Sequence, residues 1–165
     1  FLSELGRTPE YSISRRRLAR TWEVMQATDE AAFRLRRTSY GMAASDDPAF
    51  LWKKQYSTVA GSLPMNDIPM ASVSNRSDAG ARGVGFTRCS LNVETAGDVM
   101  LRFNDIAGLE LRQNEIPVDM LDTVTLKVQP GDHRLTFTVD QTQRSGPLEV
   151  EIVTDGTTAV AAFQN

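Results

Sequence analysis

Leu121-Asp122-Thr123-Val124-Thr125-Leu126-Lys127-Val128-Gln129-Pro130-Gly131-Asp132-His133-Arg134-Leu135-Thr136-Phe137-Thr138-Val139 is the stretch on which the fold class turns. Val124, Leu126 and Val128 share one parity, with Thr125 and Lys127 between them, and Leu135, Phe137 and Val139 repeat the pattern around Thr136 and Thr138. A period of two places apolar side chains on one face of a β-strand and polar ones on the other. Between the two runs, Pro130-Gly131 offers the fixed φ and the free φ that the central positions of a type II turn require. The stretch therefore predicts two strands joined by a tight turn, each showing one face to a core and one to water.

Working outward, the same parity recurs in Cys89, Leu91 and Val93, in Val99, Leu101 and Phe103, in Leu109 and Leu111, in Leu148, Val150 and Ile152, and in Val160 and Ala162. Short turn signals separate them, among them Thr95-Ala96-Gly97-Asp98, Gln113-Asn114-Glu115 and Asp155-Gly156-Thr157. Strands spaced by roughly 8 to 14 residues predict a β-meander folded into an antiparallel β-sandwich or jelly roll, not a parallel sheet. The fold class is mainly β, with a short N-terminal helical remnant and linker ahead of it.

Ahead of this run, Leu18 to Met25 alternates about Trp22, which predicts a first strand anchored by that ring. Asp29 to Arg37 favours a short helix capped by Thr28 or Asp29. Lys54 to Val59 reads as a strand ending in a turn at Ala60-Gly61, with a second extended piece around Leu63. Ser72 to Gly85 offers only Val73 and Val84 as core-sized residues, so a mobile surface loop is expected there. The opening Phe1-Leu2-Ser3-Glu4-Leu5-Gly6 reads as the last turns of a helix stopped by Gly6. Two units follow: residues 1–17 as the end of a preceding helix with a basic linker arm, and residues 18–165 as a single sandwich domain.

At 165 residues, 41% hydrophobic and 24% charged, the chain has the makings of one domain with a core. The net charge of −3 hides an asymmetry: Arg15, Arg16 and Arg17 form a basic run, whereas acidic residues dominate from Glu94 onward. The basic arm is expected to face an acidic surface of the same protein or a neighbour. Nucleic-acid binding is not expected, because no aromatic platform interleaves with the arginines. No apolar run approaches the roughly 20 residues that span a bilayer, so direct membrane insertion is not expected. Cys89 stands alone, which excludes an intrachain disulfide, and its parity predicts a buried thiol.

No catalytic constellation is legible. His133 follows a turn with neither nucleophile nor orienting group in view, and one Cys with one His cannot close a tetrahedral zinc site. Glu149 and Glu151 share one strand face at i and i+2, so a carboxylate-based hydrolase is the enzymatic alternative, although a convex face lacks the cleft that such chemistry needs. Calcium needs only oxygens: Asp46 and Asp47 are candidate ligands in one loop, and Asn104 and Asp105 form a comparable pair in another, where turn formation is the competing role. No other cofactor is implied. Trp52 and Tyr56 are the aromatic pair around which a binding groove is sought.

Gly108-Leu109-Glu110-Leu111-Arg112-Gln113-Asn114-Glu115-Ile116-Pro117-Val118, followed by Leu126 to Phe137, resembles the strand-turn-strand core of PA14-like and related carbohydrate-binding sandwiches, with Arg112 and Gln113-Asn114 where those modules carry an aromatic residue and Asp-Gly. Asn104-Asp105 falls near the acidic loop of such modules, and with Trp52 and Tyr56 these are the candidate ligand-binding residues. More widely, Phe1 to Gly6, Trp22-Glu23-Val24, Ala44 to Pro48 and Tyr56 to Pro64 are similar to the C-terminal region of large planctomycete-type haem-binding or membrane-bound dehydrogenases. That resemblance implies a terminal accessory sandwich of an exported, periplasmic or extracellular protein, with any haem ligands outside these residues. Its partners would be other domains of the same polypeptide and glycans. The expected function is a non-catalytic accessory module that binds carbohydrate or docks against neighbouring domains, with a purely structural interdomain scaffold as the alternative.

Overall fold

The computed structural model describes residues 17–37, 40–73 and 82–165. Eleven strands and one α-helix follow in chain order: β1 (Thr21–Met25), α1 (Asp29–Arg37), β2 (Trp52–Tyr56), β3 (Ala71–Val73), β4 (Arg82–Thr95), β5 (Gly97–Phe103), β6 (Leu109–Gln113), β7 (Ile116–Val118), β8 (Thr123–Val128), β9 (Gly131–Asp140), β10 (Val150–Val153) and β11 (Val160–Phe163). Every pairing among them is antiparallel, and they form two sheets. The large sheet runs β2-β1-β4-β9-β6-β7, with β3 and β11 also on β4, and the small sheet runs β10-β5-β8. The expected β-sandwich is the fold.

β4 is the strand on which the rest is assembled. One of its edges pairs with β9 from Val84↔Asp140 to Val93↔Gly131. The other is tiled end to end by three short strands: β3 at Arg82 to Val84, β1 at Thr87 and Arg88, and β11 at Leu91 to Thr95. The odd residues Cys89, Leu91 and Val93 face the core between the sheets, where Val99, Leu101, Phe103, Val124, Leu126, Leu135, Phe137 and Ile152 meet them. Phe137 lies at its centre, edge-on to Trp22 at 5.8 Å and to Phe103 at 5.9 Å, arrangements that add to the area each ring buries.

The connectivity departs from a meander. Between β4 and β11 the chain switches sheet at every connection except the β6–β7 hairpin, so most sequential strands face each other across the core. A turn signal specifies reversal but not which sheet receives the next strand, and the tight Val128-to-Gly131 corner joins β8 of the small sheet to β9 of the large one.

A second departure is a third layer. α1 and the 3₁₀ turn Tyr40–Ala44 lie on the outer face of the large sheet, where Met25, Ala31, Leu35, Ala43, Phe50, Ala71, Val84 and Phe86 form a separate buried cluster. Consequently Phe86 and Thr87, adjacent in sequence and opposite in facing, are both buried, as are Thr136 and Thr138. The alternation predicted water on that side of β9. α1 starts where expected, with Thr28 Oγ1 accepting from the Ala31 N–H at 3.1 Å and with Asp29 and Glu30 in its first turn, favourable at the positive end of the helix dipole.

The expected loop from Ser72 to Gly85 begins and ends in strand: Ala71–Val73 pairs with Arg82–Val84, and residues 74–81 lie outside the described residues. The strand expected over Lys54 to Val59 runs instead from Trp52 to Tyr56, and Leu18 forms an isolated bridge to Glu151, ahead of β1. The helix read at Phe1 to Gly6 also falls outside the described residues. Among the described residues no helix is long and apolar enough to cross a membrane.

Candidate functional site

The α1 layer covers only part of the outer face of the large sheet. Past Phe86 the even residues of β4 run on as Arg88, Ser90, Asn92 and Glu94, beyond the second buried cluster. There an open groove of about 820 Å³ is walled by Thr21 and Glu23 of β1, Lys54 of β2 and the β11 end of the chain. Ser90 also borders a second hollow of about 380 Å³, lined by Ala44, Asp46, Asn114, Glu115, Asp132 and Arg134. The two hollows share Ser90 and together make one polar trough across β1, β4, β11 and β9.

The trough's side chains are held by one another. Arg88 Nε donates to Glu23 Oε1 at 3.1 Å, and its guanidinium lies over the Trp52 ring. Asn92 Nδ2 and Gln164 Nε2 both donate to Asp132 Oδ1, at 3.0 and 2.6 Å. Arg134 Nη1 donates to Asp46 Oδ1 at 2.8 Å, and that bond, reinforced by the Arg134 charge, holds the Asp46 carboxyl below the usual carboxylate range. Asn165 splices the abutting ends of β1 and β11: its Oδ1 accepts from the Arg20 and Thr21 amides at 2.9 and 3.0 Å, and its Nδ2 donates to the Leu18 carbonyl at 3.0 Å. A side-chain amide thereby takes the place of a missing ladder rung. Four cationic and five acidic side chains line the two hollows, so the trough is near charge balance and suits a neutral polar ligand better than a polyanion.

The residues singled out from the sequence are not brought together. Trp52, Lys54 and Tyr56 share the outward face of β2; Trp52 is half-buried under Arg88, and Tyr56 is 63% exposed beside the trough. Asp46 lines the smaller hollow, whereas Asp47 accepts from the Ala49 amide at 2.9 Å and faces Arg34 Nε at 3.9 Å. Asn104 and Asp105 lie on the other flank, in the loop from β5 to β6, with β1, β4 and β9 between them and β2.

That loop is organised around a buried cation. Arg144, 3% exposed, donates from Nη1 to the carbonyls of Asp105 and Ala107, and from Nη2 to the Pro147 carbonyl and to Asn104 Oδ1. Asn104 Nδ2 donates to the same Pro147 carbonyl at 2.9 Å, and Asp105 Oδ1 accepts from the Ala107 amide at 3.0 Å. The polar atoms that suggested a ligand loop thus hold the loop itself. Among the described residues no group of three or more His, Cys, Asp and Glu side chains gathers as a metal centre would.

The remaining chemical candidates are also engaged. His133 Nε2 bonds the Gln129 carbonyl at 2.7 Å, Glu151 pairs with Arg102 directly across the strands, and Glu149 Oε1 accepts from Ser62 Oγ. Cys89 is buried, and desolvation pushes its thiol far up from its ordinary value. Sequence reasoning missed Arg88, Ser90, Asn92 and Glu94. Their polar alternation was visible, but the step that turns their face into a trough depends on where α1 stops. Compared with family models, curated proteins and solved structures, the chain matches none.

Proposed function

We propose that this chain is a non-catalytic accessory β-sandwich module that binds carbohydrate in the trough on the outer face of its large sheet. The observation that carries the reading is the row Arg88, Ser90, Asn92 and Glu94 lining the hollows on the central strand beside Glu23, Lys54 and Asp132, with Asn92 and Glu94 exposed and Arg88 and Ser90 half-buried among the described residues. Guanidinium, amide, hydroxyl and carboxylate groups on strands are pre-organised donors and acceptors, the chemistry that polyhydroxyl ligands need. Tyr56 supplies an exposed ring at the margin. The sequence resemblance to PA14-like sandwiches implies the same class of ligand. The pairing of Glu149 with Ser62 and of Glu151 with Arg102 supports a structural over a hydrolytic role for those acids.

Titration calorimetry against a panel of neutral oligosaccharides tests it. At least one is expected to bind with a Kd below about 1 mM, roughly 4 kcal/mol, and to be weakened at least about tenfold by Asn92→Ala with Glu94→Ala, about 1.4 kcal/mol. A flat panel would remove the carbohydrate reading.

Docking against a neighbouring domain is the second reading. Arg17 to Ala19 run along the edge of β10, with Arg17 Nη1 donating to Thr154 Oγ1 at 2.6 Å and the Ala19 amide to the Val150 carbonyl at 3.1 Å. Co-purification of a neighbouring domain with this chain, lost on substituting Arg15 to Arg17, would favour it.

A further inference from the structure

We propose that the outer edge of β2 is a strand-addition site for an extended acidic segment of a partner protein. β2 ends the large sheet, and among the described residues no strand pairs with its outward side. Two bonds fix the phase of its backbone: the Gln26 amide donates to the Leu51 carbonyl at 2.7 Å, and the Ser57 amide donates to the Arg20 carbonyl at 2.9 Å. In an antiparallel ladder a residue's N–H and C=O point to the same side, alternating along the strand. Leu51, Lys53, Gln55 and Ser57 therefore face β1, and Trp52, Lys54 and Tyr56 present their amides and carbonyls outward. Strand addition uses such a row for affinity and alternate side chains for selection.

The surroundings of this edge point to a partner. Leu51, Tyr56 and Val59 are 56%, 63% and 90% exposed, so three large apolar side chains stand open within nine residues of chain. Trp52, pinned by the Arg88 guanidinium at 4.0 Å, anchors the strand. Three of the other edge strands are shielded or interrupted among the described residues. β7 is three residues long and contains Pro117, β10 is met by Leu18 at Glu151, and on β8 the Lys127 carbonyl accepts from Gln113 Nε2 at 3.0 Å.

Charge decides the occupant. Lys53 and Lys54 are both exposed, and successive residues of a strand point to opposite faces, so an added strand meets a lysine whichever face its acids take. A second copy of β2 laid antiparallel with Trp52 opposite Tyr56 would set Lys54 against Lys54, a like-charge pair directly across the strands. The lysines that discourage self-pairing complement a segment in which acidic and apolar residues alternate.

An NMR titration with a synthetic octapeptide of alternating glutamate and valine tests this. Binding is expected to shift the amides of Trp52, Lys54 and Tyr56, to survive Asn92→Ala, and to be lost when alternate peptide nitrogens are methylated. The double substitution Lys53→Glu with Lys54→Glu is expected to weaken it at least about tenfold and to confer binding of the lysine–valine counterpart. No binding at millimolar peptide, shifts confined to Thr123–Val128, indifference to N-methylation, or equal binding before and after charge reversal would each overturn the proposal. Because Asn92→Ala disables the trough and not the edge, failure here and failure of the carbohydrate reading are told apart.

Discussion

The guanidinium carbon of Arg88 stands 4.0 Å from the centre of the Trp52 ring, and this stack joins the buried layer under α1 to the open polar trough. Trp52 packs against the Phe86 cluster on one side, while Arg88 reaches on to Glu23. The pair fixes both the border of the trough and the position of β2.

Arg88→Ala is expected to destabilise the fold by about 1–2 kcal/mol, combining a desolvated cation–π contact with a half-buried ion pair. Arg88→Lys should recover less than half of that, because an ammonium cannot stack as a plane and bond Glu23 together. Urea unfolding checks both; equal stability of all three proteins would show that the stack contributes nothing.

Arg144 is the sharper stability test. Replacing it by Met keeps much of the volume but strips donors from the carbonyls of Asp105, Ala107 and Pro147 and from Asn104 Oδ1. Asn104, Asp105, Ala107 and Pro147 are exposed, and the Pro147 carbonyl and Asn104 Oδ1 keep donors from Asn104 Nδ2 and the Glu149 amide, so water replaces part of what is lost and the expected cost is about 1–3 kcal/mol. Chemical denaturation measures it, and hydrogen exchange should rise first around residues 104–108.

Cys89 is expected to resist thiol reagents in the folded protein. Its burial keeps the thiol protonated, and the thiolate is the reactive form. Labelling should proceed at the rate of global unfolding and accelerate with urea; rapid labelling in native buffer would contradict the packing of β4 against the small sheet.

The Asp46–Arg134 pair sets a small acid dependence. Its folded pKa is depressed, so its contribution is present above the unfolded carboxylate pKa of about 4 and is lost as pH falls through the lower folded value. Asp46→Asn should therefore be less stable than the parent at neutral pH in low salt, with the two converging in acid once pH falls below the depressed folded value. Salt at about 1 M should shrink the difference, because Asp46 is exposed. Urea midpoints at neutral and acid pH read the effect.

How much was legible follows from what each residue type encodes. Leu135, Phe137 and Val139 announce a buried face because nothing else explains three large apolar residues at a period of two. Thr136 and Thr138 announce nothing about the other face, since a β-branched hydroxyl is at home in water and under a helix alike. That ambiguity hid the third layer, and with it the trough at the layer's end. The α1 cap at Thr28 was readable because it is local; the Arg144 cluster was not, because its acceptors at Asn104 and Asp105 lie about forty residues away. Hence Asn104-Asp105 carried the look of a ligand loop.

The most direct test is an amide-shift map of the labelled protein with whichever oligosaccharide binds most tightly. Shifts centred on Arg88, Ser90, Asn92 and Glu94, with Tyr56 at their margin, are the expected result. Shifts centred on Asn104 and Asp105, with β4 unmoved, would contradict the placement of the binding surface on the large sheet.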